Sequence, residues 1–324
     1  MGSNSWSGKR VLVTGADGFV GSHLAEALIE LGARVSILVR GTSVSGTTRY
    51  TFKNLAQPAM ARLENIVCCD IASADTIELI VKADPEIIFH LAAAAYVPFS
   101  FDHPLEVLSV NAVGTVYVLE AVRRLKQVER VVCTSSSEVY GTALTKQIDE
   151  SHPLNPTSPY AASKVAADRY CYSYRATYGL PVAIIRPFNT YGPRHTYDVI
   201  PKFISLALRN EPITIYGTGE QSRDFLYVTD TVKAFVAMGC HKGAAGQVVN
   251  FGTGQDVSVN AVAGLIKEIS GSRSEIVHVG ARAAEVDRLC CDSGLARRLF
   301  GWEPEVRLEQ GLRAHIEWAR QRAL

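Results

Sequence analysis

Short apolar runs without polar alternation recur along the chain, each followed by a stretch of helical period. "RVLVTG" (10–15), "RVSILVR" (34–40), "NIVCCD" (65–70), "IIFHLAA" (87–93), "RVVCTSS" (130–136) and "VAIIRPF" (182–188) predict strands. "GSHLAEALIELG" (21–32) predicts a helix ending at a glycine, and 104–126 and 159–178 predict longer ones. A strand with no polar face must be covered on both sides. The pattern therefore predicts an α/β fold, a doubly wound parallel sheet between two layers of helices. Residues 41–62 lack a clear period and predict a loop with a short helix. After 188, Pro and Gly become frequent and helices mix with short strands. The expected division is a dinucleotide-binding domain over 8–187, rejoined by roughly 228–252, and a smaller C-terminal α/β substrate lobe over 188–227 and 253–324.

Composition changes this picture little. The chain has 324 residues, 47% hydrophobic and 20% charged, with a formal net charge of +1. That is the composition of an ordinary globular protein, long for one domain. No basic field recruits nucleic acid or an anionic membrane. No apolar run approaches the ~20 residues of a membrane helix. The start, "MGSNSWSGKR", has no apolar h-region, so a cytoplasmic location is expected and residues 1–8 read as a disordered lead. The seven cysteines include the adjacent pairs Cys68–Cys69 and Cys290–Cys291 but no C-x-x-C, which predicts buried free thiols. No His/Cys/Asp cluster has metal-ligand spacing. His90, inside an apolar strand, reads as a satisfied core histidine.

Chemistry enters with "TGADGFVG" (14–21), which sets Gly15, Gly18 and Gly21 between the first strand and the first helix. Gly15 permits the tight turn, Gly18 lets backbone approach a pyrophosphate, and Gly21 allows close helix–strand packing. The helix N-terminus offers N–H groups to the phosphates, so the fold expected is a Rossmann sheet. The second strand ends at Arg40 with no acid nearby. A guanidinium suits a 2′-phosphate, which leans the cofactor toward NADP over NAD; a surface arginine is the alternative. Asp70 either bonds the adenine edge or caps the next helix.

"SPYAASK" (158–164) places Tyr160 and Lys164 four apart on one helical face, 24 residues after Ser136. This constellation resembles the extended short-chain dehydrogenase/reductase family, specifically its nucleotide-sugar epimerases and dehydratases. "FHLAA" (89–93), "VNAVGTVYVLEA" (110–121), "TSSSEVYG" (134–141), "RPFNTYGPR" (186–194), "RDFLYVTD" (223–230) and "NFGTG" (250–254) carry the resemblance over nearly the whole chain. It implies that Tyr160 takes the proton from a sugar C4 hydroxyl. Lys164 favours the phenolate and holds the nicotinamide ribose, and Ser136 bonds the same oxygen. It also implies cofactor contacts at Asp17, Phe19, Val20, Ile71, Leu91, Ala92, Ala93, Asn111 and Pro187.

Glu138 lies two residues after Ser136 and two before Tyr140. Ser/Thr, one residue, Glu, one residue, Tyr is the pattern of nucleotide-sugar 4,6-dehydratases. There the glutamate removes the C5 proton once C4 is a ketone, water leaves from C6, and the product is a 4-keto-6-deoxy sugar nucleotide. Epimerases of the family carry a small or neutral residue there. Ser137 stands where many dehydratases have the aspartate that protonates the leaving hydroxyl, and it is a weak acid. The expected activity is an NDP-hexose 4,6-dehydratase, with a 4-epimerase as runner-up. A reductase, a decarboxylase and a binding protein that has lost catalysis also stand. Glu138 as a solvated loop charge is the bland alternative.

The resemblance sets Asn189, Arg223 and Arg282 at the diphosphate, although the usual R-P-x-E is here Arg282-Ala283-Ala284-Glu285. Inter-lobe salt bridges are the alternative for the arginines. Ser100, Arg194, His195, Val199, Lys202 and Tyr216 are further substrate candidates. A homodimer through the helices at 104–126 and 159–178 is implied as well.

Overall fold

The computed structural model describes residues 5–40, 52–282 and 284–323. Its strands are β1 (Arg10–Thr14), β2 (Arg34–Val39), β3 (Asn65–Cys68), β4 (Ile87–His90), β5 (Arg130–Thr134), β6 (Val182–Pro187), β7 (Asn189–Tyr191), β8 (Ile213–Tyr216), β9 (Ser222–Tyr227), β10 (Val248–Phe251), β11 (Asp256–Ser258), β12 (Ile276–Val279) and β13 (Arg288–Leu289). The helices are α1 (Phe19–Glu30), α2 (Gln57–Met60), α3 (Asp75–Ala83), α4 (Phe99–Asp102), α5 (Pro104–Leu108), α6 (Gly114–Arg124), α7 (Pro159–Tyr178), α8 (Val199–Leu208), α9 (Val228–Cys240), α10 (Val259–Ser270), α11 (Gly294–Phe300) and α12 (Leu308–Ala323).

A seven-stranded sheet runs in the order β10-β6-β5-β4-β1-β2-β3. The pairs from β3 through β6 are all parallel. From β1 the chain winds outward through β2 and β3, then crosses back to lay β4 on the other side of β1. That reversal is the switch point at which open α/β sheets bind ligands, beyond the carboxyl ends of the strands. The chain is thus a doubly wound Rossmann-type α/β protein, as its apolar strands predict.

The chain forms two compact units. The first takes the described residues through Ser135, with Pro159–Ile185 and Val232–Val248. Leu12, Ile88, Val131, Ile184, Val118 and Leu119 knit its sheet to its helices. The second takes Ser136–Ser158, Arg186–Thr231 and the chain from Val249 on. In it β9 pairs with β11, β13 and β7, and β12 pairs with β8. Ile200, Phe203, Ile215, Phe225, Val262 and Leu312 form its core. Residues 136–158, expected with the first domain, pack in the second unit; of 228–252 only Val232–Val248 pack in the first.

Four expectations are corrected. Residues 5–8 are part of the fold: Trp6 is 2% exposed and its ring lies 6.0 Å from Phe89. The predicted 104–126 helix contains a π-helical turn at Ser109–Val113 between α5 and α6. That run, Pro104–Arg124, does have the length and apolar character of a membrane span, with half of it buried in the protein. Among the cysteines, Cys133, Cys171, Cys290 and Cys291 are buried, but Cys68 is exposed. Cys68 ends β3, the edge strand of the sheet.

Candidate active site

In the first unit, the chain leaves β1 through Gly15 at φ 70, a left-handed conformation that costs a side chain energy. A Cβ there would also meet the Ala92 nitrogen at 2.7 Å, so the turn lies directly on the loop after β4. A Cβ on Gly21 would strike the Gly15 carbonyl. No side chain caps the N-terminus of α1, whose N-cap is the exposed Gly18. This backbone cradle and uncapped helix end fit a dinucleotide pyrophosphate.

Helix α7 carries Tyr160 and Lys164, both buried. Lys164 Nζ donates to the Thr134 carbonyl at 2.9 Å. Burial pushes its ammonium down to about 8. Asn111, in the π-helical turn, fixes the surroundings. Its amide accepts from Ala94 N at 2.8 Å and donates to Ala94 O at 3.2 Å and Ser163 Oγ at 2.9 Å. Ser163 in turn donates to Tyr160 O at 2.7 Å. Thr134 Oγ1 and Ser135 Oγ are buried with no hydrogen-bond partner.

In the second unit, Ser136 N-caps the 3₁₀ turn Ser137–Tyr140 by accepting from Glu138 N at 3.2 Å. Glu138 keeps some surface, yet protein surrounds it closely enough that desolvation pushes its carboxyl above the usual range. Arg223 opposes that rise, while Asp198 and Glu285 add to it. Arg223 Nη2 pairs with Glu285 Oε1 at 3.3 Å. Tyr140, two residues on, is fully buried; it donates to Asn250 Oδ1 at 2.6 Å and accepts from Arg186 Nη1 at 2.8 Å. Burial pushes its phenol up to about 12.

The family model for GDP-mannose 4,6 dehydratase matches residues 12–315. The chain is 38% identical to the dTDP-D-glucose 4,6-dehydratase of Bos taurus, covering 97% of this chain and 89% of that one. It is 37% identical to the UDP-glucose 4-epimerase of Mycolicibacterium smegmatis, covering 97% and 99%. Among solved structures, DesIV, a dTDP-glucose 4,6-dehydratase from Streptomyces venezuelae with NAD and TDP bound, superposes with a TM-score of 0.87 at 31% identity, covering 96% and 97%. The chain belongs to the nucleotide-sugar epimerase/dehydratase branch of the extended short-chain dehydrogenases/reductases.

Several residues expected to touch ligands in this epimerase/dehydratase are committed elsewhere. The Asp17 carboxylate accepts from the backbone of Lys53, Asn54 and Leu55 and anchors that segment. Asp70 accepts from Ala72 N at 2.9 Å and does not cap α3, whose N-cap is Ala74. The Asn111 amide is spent on Ala94 and Ser163 as above. Ser100 is fully buried and donates to Val97 O at 2.7 Å, so it presents no surface to a sugar. Phe19 and Ile71 are buried, whereas Val20, Leu91, Ala92, Ala93 and Pro187 keep partial exposure. Arg40 is exposed just past β2.

On the sugar-nucleotide side, Asn189 Oδ1 is buried without a partner. Tyr216 is flanked by Lys202 Nζ at 4.8 Å and the Arg282 guanidinium at 3.8 Å from its ring centroid. These cations hold its phenol below the usual range, the Arg282 hydrogen bond first. Val199 begins α8. Arg194 and Asp198 flank its approach with φ of 74 and 72, uncommon outside glycine. His195 Nε2 lies 3.2 Å from Asp198 Oδ2.

His90 is the satisfied core histidine expected. Thr115 donates to Asn111 O, so it accepts from His90 Nε2; Thr14 accepts from Ala92 N, so it donates to His90 Nδ1. The ring is neutral, and burial pushes it down to about 3. Sequence reasoning missed Arg186 and Asn250, which meet Tyr140 from far along the chain, and Asp198, which faces His195 three residues away and adds to the rise of the Glu138 carboxyl.

Proposed function

We propose that this enzyme is an NDP-hexose 4,6-dehydratase. The observation that carries the reading is the placement of Glu138 in the Ser136-capped 3₁₀ turn, where protein closes around it and burial raises its carboxyl above the usual range in company with Arg223, Asp198 and Glu285. A solvated loop charge would show no such shift, and an epimerase has no use for a base at C5. When bound, a nicotinamide dinucleotide supplies the hydride chemistry; the glycine turn, α1 and Lys164 would hold it. NAD in DesIV supports NAD, and Arg40 supports NADP. Titration of the apoprotein with each separates the two.

Tyr160, as phenolate, removes the C4 hydroxyl proton, aided by the Lys164 ammonium and the Ser136 hydroxyl. Glu138 then takes the C5 proton, made acidic by the adjacent carbonyl, and returns it after water has left from C6. Asn189, Arg223 and Arg282 bind the diphosphate, with Arg194, Val199, Lys202 and Tyr216 around the nucleoside.

The test is a panel of nucleoside-diphosphate hexoses followed by product mass. A product one water lighter supports dehydration. An isomer of equal mass supports the 4-epimerase reading, which the Mycolicibacterium relative favours. The exposed Leu105, Leu108, Val113, Tyr170 and Tyr172 further support a homodimer, which light scattering tests.

A further inference from the structure

In a Rossmann sheet an Asp or Glu beyond the second strand accepts from the 2′-hydroxyl of the cofactor's adenosine. Here no Asp or Glu stands anywhere between Glu30 and Glu64. Arg40, just past β2, suits a 2′-phosphate, but a guanidinium has no acceptor for a hydroxyl. A dinucleotide without that phosphate needs another acceptor.

The first unit holds one in the segment between β2 and β3. The Asp17 carboxylate, inside the glycine turn, accepts from Lys53 N at 2.9 Å, Asn54 N at 2.9 Å and Leu55 N at 3.2 Å. Ala56 N donates to Glu26 Oε1 at 3.3 Å, so the segment is pinned along α1 at two points. Asn54 Nδ2 donates to Asp17 O at 2.8 Å. A carbonyl can only accept, so this bond fixes the orientation of the amide and leaves Oδ1 as an acceptor. Asn54 Oδ1 is buried and has no hydrogen-bond partner among the described residues. A buried acceptor left unmet is costly, and it marks the place of a donor that the chain itself does not supply. Asn54 as a residue is only partly buried, so the amide lies just under the surface.

The position suits one donor. The turn that carries Asp17 is the one that fits the pyrophosphate, and each ribose of a dinucleotide is joined to that pyrophosphate through a single methylene. In the sheet, β2 and β3 lie on one side of β1, and β4 and β5 on the other. Lys164 is bonded to the end of β5, which gives the nicotinamide ribose the β5 side. The ribose on the side of Asn54 is that of the adenosine.

We propose that Asn54 Oδ1 accepts the hydrogen bond of the adenosine 2′-hydroxyl in place of the missing acid, and that Asp17 is the residue that positions it. An amide is neutral. It holds the hydroxyl of NAD without repelling the phosphate of NADP, as a carboxylate would. The site therefore separates the two cofactors only weakly, Asn54 serving the hydroxyl and Arg40 the phosphate. The inference rests on the dinucleotide reading above.

The test uses the full-length protein freed of cofactor, titrated by calorimetry with NAD, with NADP and with NAD lacking the adenosine 2′-hydroxyl. The wild type binds the deoxy analogue ~5- to 20-fold more weakly than NAD. Asn54→Ala loses a similar factor on NAD and no longer distinguishes NAD from the analogue. An Asn54 that only held the segment in place would, when removed, weaken both ligands alike and keep their ratio; that result overturns the assignment. If Asn54→Ala does not fold, the isosteric Asn54→Asp decides. It keeps an acceptor, so NAD binds within ~3-fold of the wild type, whereas its charge weakens NADP by at least ~10-fold. Equal changes for NAD and NADP overturn the assignment, as does a wild type that binds NAD and the deoxy analogue equally. A wild type that binds no dinucleotide overturns the cofactor reading itself.

Discussion

Lys164 on α7 reaches the carbonyl of Thr134, the last residue of β5, at 2.9 Å, and so ties the second turn of a helix to the carboxyl end of a central strand. The ammonium is buried, and that burial has a measurable cost.

Lys164→Met should abolish turnover yet stabilise the apoprotein at neutral pH. The folded-state value is about 8, depressed from 10.5, so the cost is fully present below pH 8 and disappears as pH rises through 10.5. The gain should be on the order of 1–3 kcal/mol at pH 7. Urea melts of both proteins at pH 7 and pH 10.5 check it; a gap that widens with pH contradicts the assignment.

Glu138→Gln should reduce dehydration by ~10²- to 10⁴-fold while leaving dinucleotide affinity unchanged. Because burial raises the Glu138 carboxyl, the acid limb of the wild-type kcat profile should lie above the ordinary carboxylate range, with activity lost as pH falls through it. Full activity in the variant would retire Glu138 as the base.

Tyr140→Phe should cost about 1–3 kcal/mol of stability and spare the chemistry. The change strips Arg186 of an acceptor and Asn250 of a donor in the interior of the second unit. Guanidinium melts measure the first effect, and kcat of the folded variant the second.

Trp6→Ala should destabilise the protein by about 3–5 kcal/mol. Trp6 packs on Phe89, and its indole also lies where a Cβ on Gly239 would clash. A melting temperature equal to that of the wild type would return residues 5–8 to the status of a lead.

The sheet was legible because apolar strands and a glycine turn answer to local backbone constraints. The strand ends were not. Leu91, Ala92 and Ala93 continue an apolar run, yet β4 stops at His90 and these three residues form a partly exposed loop. Trp6 escaped notice among polar neighbours, since one aromatic shows no period. Glu138 was legible as a motif, but its electrostatic company, Asp198, Arg223 and Glu285, is remote in sequence, and no spacing rule connects them. The family resemblance assigns Asp17, Ser100 and Asn111 to ligands; the side chain of each is hydrogen-bonded within its own unit, which no motif announces.

The polypeptide passes between its two units at Ser135–Ser136, Ser158–Pro159, Ile185–Arg186, Thr231–Val232 and Val248–Val249. Neither unit can therefore be cut out as a single gene fragment or exchanged by one recombination event. A new sugar preference in such a chain has to arise by substitution in place, and half-molecules should be recovered only as insoluble or degraded material.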